Sequence, residues 1–467
     1  MDPISAHPSN PHYLYYRGQA IIPMTTDQRF MAVVNSDFDY VKFLDKLKSK
    51  GMNFTRIYPG ASFRFSDVGN APKKGRQILP WKLTGEKGAD EFLGGYKYDL
   101  DAWNEAYFSR LLDFCAQARE RGIIVMVTFF NGMYAVEWGH TAMSEKNNIQ
   151  GAGKCGWDMV QSLDGDTLLL KYQGKYVREI TRRLNGMDNI IYYVCSEPQM
   201  SAKPAAVFVP WVSRMIDAFR DAERNLPCKH MLGQSVDKEF WKGPGISDFS
   251  ADPRISFVTM RCLYGLYLLE SKYSLNKPLV HHGAVMYHDD DIPGDFKYTG
   301  DQLGSARLDA WEYLLSGSAS FMQYNVLFTV ENPAGSGTID RMFDVLSGIK
   351  KFMESIDYIS MKKDQSFVTG GVPEGAHISA LCEPGKQYVF YIHHGKETYR
   401  YYLVEQGKHQ ETLFFSIPKG EYTAEWINTL DASVIRTDIV KHMGGACKLT
   451  TPEYSVDMAL RLIRGKR

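Results

Sequence analysis

No two cysteines in this chain stand at CxxC spacing or in a zinc-ligand pattern. The seven present, at 115, 155, 195, 228, 262, 382 and 447, are odd in number and scattered. That predicts mostly free thiols, several inside apolar runs such as Tyr193-Val194-Cys195. No apolar run approaches the about 18 residues of a membrane-spanning helix, so no membrane partner is expected. The opening Met1-Asp2-Pro3-Ile4 has neither the basic start nor the apolar core of a secretory signal. A cytoplasmic protein is one expectation from this; a periplasmic or secreted one whose signal has been removed is the other. Net charge is lacking too. The 54 basic side chains meet 54 acidic ones, and a pI near 7.2 offers no field to capture nucleic acid or an anionic membrane. Gly-x-Gly-x-x-Gly and P-loop patterns are both absent. No cofactor is expected, and the oligomeric state leaves no readable trace.

What the chain has in plenty is aromatic side chains, 13% of residues from 28 Tyr, 25 Phe and 8 Trp. An aromatic excess without a basic excess suits a neutral, stackable ligand such as a sugar, although a large core accounts for much of it. A hydrophobic share of 44% excludes disorder as the main state. The 467 residues allow one large domain with a small one, or three of about 150 residues each.

Short apolar runs alternate with amphipathic stretches from about residue 20 to residue 355. Ala20–Met24 is the first run, followed by a helix over Ser36–Lys50 with Ser36 and Asp39 in a capping-box pattern and Gly51 at its end. Phe54–Tyr58 is the second run. After a polar, Gly-rich insertion come a helix over Asp101–Arg121, strand Ile123–Phe129, helix Tyr172–Leu184, strand Ile190–Val194 and helix Val207–Asn225. Met231–Gln234, Ser256–Met260 and Leu279–His282 are the fifth to seventh runs; helix Leu303–Leu315, the run Ala319–Tyr324 and a helix near Asp340–Ser355 complete the series. Eight strand–helix units are the count of an α/β (β/α)8 TIM barrel. A doubly wound open sheet is the rival, but no Gly-rich phosphate loop follows the first strand. Past residue 365, Tyr388–His393, Leu413–Ser416, Tyr422–Asn428 and Met458–Leu462 read as short strands between turn residues. The expected organisation is a catalytic-type barrel over 1–360 and a small C-terminal β-sandwich over 365–467.

In a barrel, functional groups collect at the carboxyl ends of the strands. The fourth run ends Tyr192-Tyr193-Val194-Cys195-Ser196-Glu197-Pro198, which places Glu197 as a general acid or base, with a solvated turn glutamate as the plain alternative. Arg56 ends the second run. It could orient a carboxylate there, or form a structural salt bridge.

At these residues the chain resembles glycoside hydrolase clan A, and more closely cellulase-like glycosidases carrying a collagen-binding-type C-terminal sandwich. The shared stretches begin with His7-Pro8-Ser9-Asn10-Pro11-His12-Tyr13, Arg17-Gly18, Asp37-Phe38-Asp39-Tyr40-Val41 and Asn53-Phe54-Thr55-Arg56. They continue through Tyr98-Asp99-Leu100-Asp101, Asn147-Asn148-Ile149-Gln150-Gly151, Ser196-Glu197-Pro198 and Ala310-Trp311-Glu312-Tyr313. The resemblance implies a glycosidase acting on an oligo- or polysaccharide, with Glu197 as acid/base. It also implies a nucleophilic glutamate at the end of Lys277-Pro278-Leu279-Val280-His281-His282-Gly283, where this chain has Gly283. The Asn that in such enzymes binds the 2-hydroxyl of the reacting sugar is Ser196 here. Glycine carries no nucleophile, so the usual double displacement cannot run. Three accounts are open: removal by design, a natural loss that leaves a catalytically silent carbohydrate-binding barrel, or another mechanism such as inversion, with carboxyls about 6.5–9.5 Å apart. Two changes together favour divergence over design.

Candidates to complete the site follow. His281 and His282 adjoin the vacated position, and strand alternation turns only one of them into the mouth. His288, Asp289, Asp290, Asp291 and Asp295 could supply a base, or simply form a solvated acidic loop. Drawn as a metal site these groups match no compact motif, so no metal is expected. The resemblance gives Tyr264 a substrate role, and Arg261 could bind an anionic sugar or pair with Asp252 or Glu270. Phe130, Asn131, Tyr134, Trp138, Trp157, Trp311, Tyr324 and Asn325 are candidate sugar contacts. Asn131, Trp138 and Asn325 lead that group; Trp311 reads best as core.

Overall fold

The computed structural model describes residues 2–27, 31–61, 71–132, 135–198, 205–234, 249–260, 265–283, 301–325, 327–335, 337–398 and 401–465. Strands and helices alternate in chain order: β1 (Met24–Asp27), α1 (Tyr40–Ser49), β2 (Phe54–Ile57), α2 (Glu105–Glu120), β3 (Ile124–Asn131), α3 (Thr167–Leu184) and β4 (Ile190–Ser196). Then follow α4 (Ala205–Glu223), β5 (Leu232–Gly233), β6 (Val258–Met260), α5 (Gly265–Lys272), β7 (Leu279–His281), α6 (Gln302–Leu315), β8 (Phe321–Tyr324) and α7 (Gly337–Glu354).

The eight strands are parallel neighbours in sequence order. Ladders join β2–β3–β4–β5, β6–β7 and β8–β1. Single parallel bridges, Gly233–Phe257 and Val280–Ser320, link the pieces. Between β1 and β2 the Asn53 amide donates to the Met24 carbonyl at 3.1 Å, and the Asn53 side chain accepts from the Met24 amide at 2.8 Å. Consecutive strands thus neighbour one another in chain order, but among the described residues their hydrogen-bond ladder does not close into a continuous barrel. Apolar faces of the helices and the strands share one core.

Two expectations are corrected. The first strand was placed at Ala20–Met24, but Gln19–Ile21 pairs antiparallel with Leu14–Tyr16, and the ring strand is Met24–Asp27. Its Thr25, Thr26 and Asp27 are wholly buried polar residues, which an apolar-run criterion passes over. The first helix is capped by Asp39, whose carboxylate accepts from the Lys42 amide at 3.1 Å, while Ser36 Oγ donates to the Arg76 carbonyl. The Gly-rich insertion folds as an antiparallel pair, Trp81–Lys87 with Tyr96–Trp103.

Beyond residue 361 the elements are strands. Six form an antiparallel sheet in the order Lys362–Lys363, His377–Glu383, Gln387–His393, Asp457–Arg464, Gly420–Ile427, Val434–His442. Three more, Val368–Gly370, Thr412–Phe415 and Cys447–Thr450, form a second. Phe367, Phe390, Phe415, Trp426 and Leu460 make a separate apolar cluster there. The larger sheet covers α6, which is why that helix is buried on every side from Gly304 to Leu315. Trp311 Nε1 donates to the Thr429 carbonyl at 2.9 Å, its ring stacked on Tyr391. Arg307 makes a bidentate pair with Asp457 at 2.8 and 3.0 Å.

Candidate functional site

Arg56 is the centre around which the carboxyl ends of the strands are organised. It is wholly buried on β2, and strand alternation sends its side chain and that of Tyr58 to the same side. The guanidinium donates from Nε to Thr128 Oγ1 on β3 at 2.8 Å. Nη2 donates to Tyr58 Oη at 3.3 Å. Nη1 serves two strands at once, meeting His282 Nδ1 after β7 at 2.9 Å and Tyr324 Oη at the end of β8 at 3.0 Å. Tyr58 in turn donates to Asn131 Oδ1 at 3.3 Å. The Tyr193 ring lies 5.3 Å from the guanidinium carbon and 5.1 Å from the His282 ring. Burial opposes the Arg56 charge, yet Tyr58, Tyr324, Tyr193 and Glu197 together hold the group above its usual range. Because arginine only donates, His282 Nδ1 is the acceptor and the neutral ring carries its proton on Nε2.

Glu197 directly follows β4, half-buried, at φ +54°. A left-handed backbone costs a non-glycine residue about 1–2 kcal/mol, a strain that accumulates at functional positions. Its electrostatic influence reaches Arg56. Beneath it, Gln234 grips both the amide and the carbonyl of Cys195, at 2.9 and 3.1 Å. Gln161 donates to the Asn131 carbonyl at 2.8 Å. Burial pushes the Cys195 thiol up, so it stays protonated, and every described cysteine is free.

Gly283 is the most informative position. An ideal Cβ added there would stand 2.4 Å from Cε2, Cζ and Oη of Tyr324. The phenol end of Tyr324 thus occupies the volume in which a side chain at 283 would begin, and it accepts there from Arg56.

The structure sorts the remaining candidates. Arg56, His282, Asn131 and Tyr324 come together, with Glu197 in electrostatic reach. Ser196 is buried in register with Asn131, its carbonyl accepting from the Gly132 amide at 2.6 Å. His281 points the other way, stacked on Phe321 at 4.7 Å, accepting from the Met322 amide, and burial lowers its pKa to about 3. Asn325 serves the fold: its amide donates to Thr26 Oγ1 at 2.6 Å and its Oδ1 accepts from the Leu327 amide. Trp138 and Phe130 are buried in the core, Phe130 edge-on to Trp211, and Trp157 packs against the same core. Trp311 lies under the C-terminal sheet. Tyr134, Arg261, Tyr264, His288, Asp289, Asp290, Asp291 and Asp295 lie outside the described residues. Sequence reasoning passed over Tyr58, Thr128 and Tyr193 as partners of Arg56. The i, i+2 spacing of Arg56 and Tyr58 was the available signal for the first.

No protein-family model matches the chain, and no curated protein matches it in sequence. Solved structures do match in fold. A glycoside hydrolase aligns over 100% of this chain and 98% of its own, with a TM-score of 0.63 and 11% identity. A glycoside hydrolase family 5 protein from Bacteroides vulgatus ATCC 8482 aligns over 99% of this chain and 93% of its own, with a TM-score of 0.59 and 12% identity. At such identities the likeness is one of fold.

Proposed function

We propose that the chain is a glycoside hydrolase-like protein acting on an oligo- or polysaccharide, with Glu197 as general acid/base. Residues 1–360 form its catalytic-type barrel and 365–467 an accessory β-sandwich. The observation that carries the reading is Glu197 itself, a carboxylate held at φ +54° after β4 within electrostatic reach of the buried Arg56 cation. In this role it passes its proton to the glycosidic oxygen as the bond to the anomeric carbon breaks. Arg56 and His282 form the polar floor, and Asn131 and Ser196 line the same end of β3 and β4. Arg261 and Tyr264 remain candidate substrate contacts.

The test is hydrolysis of a panel of aryl glycosides and polysaccharides by the intact chain and by Glu197→Gln. Loss of at least about 100-fold in turnover is expected from removing a general acid. Undiminished turnover in the variant would sink the assignment. The second reading, a catalytically silent carbohydrate-binding barrel, is favoured by the aromatic ring standing over Gly283. It predicts heat on titrating oligosaccharides by calorimetry with no product at any pH.

A further inference from the structure

A glutamate at position 283 would need the volume that the Tyr324 phenol fills, since even its Cβ would lie 2.4 Å from the phenol oxygen. The intruding group is not an inert plug. Oη is a potential oxygen nucleophile, delivered from β8 to the root of the position that β7 leaves vacant. It accepts from Arg56 Nη1 at 3.0 Å, and a guanidinium at that distance favours the ionised, nucleophilic form of a phenol. Tyr324 is only half-buried, so part of the residue is reached by solvent. Arg56 is also within electrostatic reach of Glu197, so acid and phenol share one cation. Tyrosine is a known alternative to a carboxylate nucleophile in glycoside hydrolysis, the sialidases being the example.

We propose that Tyr324 Oη is the nucleophile of this site, replacing the carboxylate that Gly283 lacks; the inference rests on the glycosidase reading above. The phenol proton leaves to bulk water, and Arg56 holds the phenolate. Oη then forms a bond to the anomeric carbon while the bond to the leaving oxygen breaks, and that oxygen takes the proton of Glu197. In the second half, Glu197 removes a proton from a water molecule whose oxygen attacks the anomeric carbon. The Oη bond breaks with its electron pair, restoring phenolate and acid. Two displacements at one carbon give net retention.

The experiment incubates the intact chain with 2-deoxy-2-fluoro glycosyl fluorides of the sugars it hydrolyses and maps the label by peptide mass spectrometry. A glycosyl adduct on Tyr324, retention of configuration by NMR, and a fall on the order of 10³-fold or more in Tyr324→Phe are expected. Tyr324→Phe keeps the ring, so its folding is checked by an unchanged melting curve; adduct mapping on the unaltered chain needs no variant. A label on another residue, inverted product, or near-normal turnover by Tyr324→Phe overturns the inference. If Glu197→Gln abolishes turnover while Tyr324→Phe does not, the nucleophile assignment falls and the glycosidase reading stands. If the unaltered chain cleaves no glycoside in the panel, both fall. A second arm replaces the group: Gly283→Glu with Tyr324→Ala should recover turnover that Tyr324→Ala alone loses. Failure of that pair to exceed Tyr324→Ala counts against a shared nucleophile position.

Discussion

His281 and His282 are adjacent in sequence and opposite in fate, because a strand turns successive side chains to opposite faces. His282 meets Arg56 at the mouth of the ring, while His281 sits between Phe321 and Tyr313 in the apolar layer. Burial lowers the His281 pKa from 6.5 to about 3. The unfolded chain therefore takes up a proton at this residue as pH falls through 6.5, whereas the folded chain does not until near 3. Above that window His281 contributes nothing to the pH dependence; within it, stability declines as pH falls. Urea midpoints at pH 7 and pH 4.5 should drop less in His281→Phe than in the unaltered protein. Parallel declines in the two would show that another group governs the acid limb. The same alternation explains what the Gly283 position means. A glycine there reads from sequence as a loss, whereas in the fold the Tyr324 ring stands where its side chain would begin.

Among the elements, β1 carries the least obvious support for the site. Met24-Thr25-Thr26-Asp27 looks like a polar loop, yet all four residues are buried. Asp27 replaces part of the missing ladder to β2, accepting from Thr55 Oγ1 at 3.0 Å and from the Arg56 amide at 2.8 Å. Asp27→Ala leaves both buried donors without that acceptor, at about 1–3 kcal/mol each. A denaturation curve should show a loss of about 2–6 kcal/mol, accompanied by lower turnover, since Arg56 stands on the same strand. Loss of less than about 0.5 kcal/mol, the range of an ordinary surface change, would contradict the staple. This strand also marks the limit of what was legible beforehand. The apolar runs Ile123–Phe129 and Ile190–Val194 stand out in the sequence, and strands cover Ile124–Asn131 and Ile190–Ser196, because strands buried on both faces read as continuous hydrophobic stretches. The positions of Glu197 and Arg56 follow from the same pattern, each lying at or just after the end of such a run. The partners of Arg56 do not, because Thr128, Tyr58 and Tyr324 come from three strands and meet only through the ring's register. Among the C-terminal strands, Val434–His442 escaped notice because it pairs along one side only and leaves Val434, Ile435 and Ile439 exposed.

At the scale of the whole chain, the C-terminal sheets are joined to the ring by groups that neither part can bury alone. The Arg307–Asp457 pair is almost completely shielded, with side-chain exposures of 8% and 4%, and Tyr391 Oη donates to the same carboxylate at 2.9 Å. Removing one member of such a pair leaves an uncompensated buried charge, which costs about 3–5 kcal/mol. Asp457→Ala should lower stability by that amount and red-shift the emission of Trp311, which is covered by the same sheet. A change under about 1 kcal/mol would mean the two parts do not depend on this contact. The contact between β7 and β8 has a bearing beyond this one chain. Residues 283 and 324 compete for a single volume. In any set of relatives they should covary by exclusion, with a glutamate at 283 accompanied by a smaller or differently turned residue at 324, and a tyrosine at 324 by glycine at 283. The pair thus behaves as one heritable character with two spellings, and neither column of an alignment is interpretable without the other.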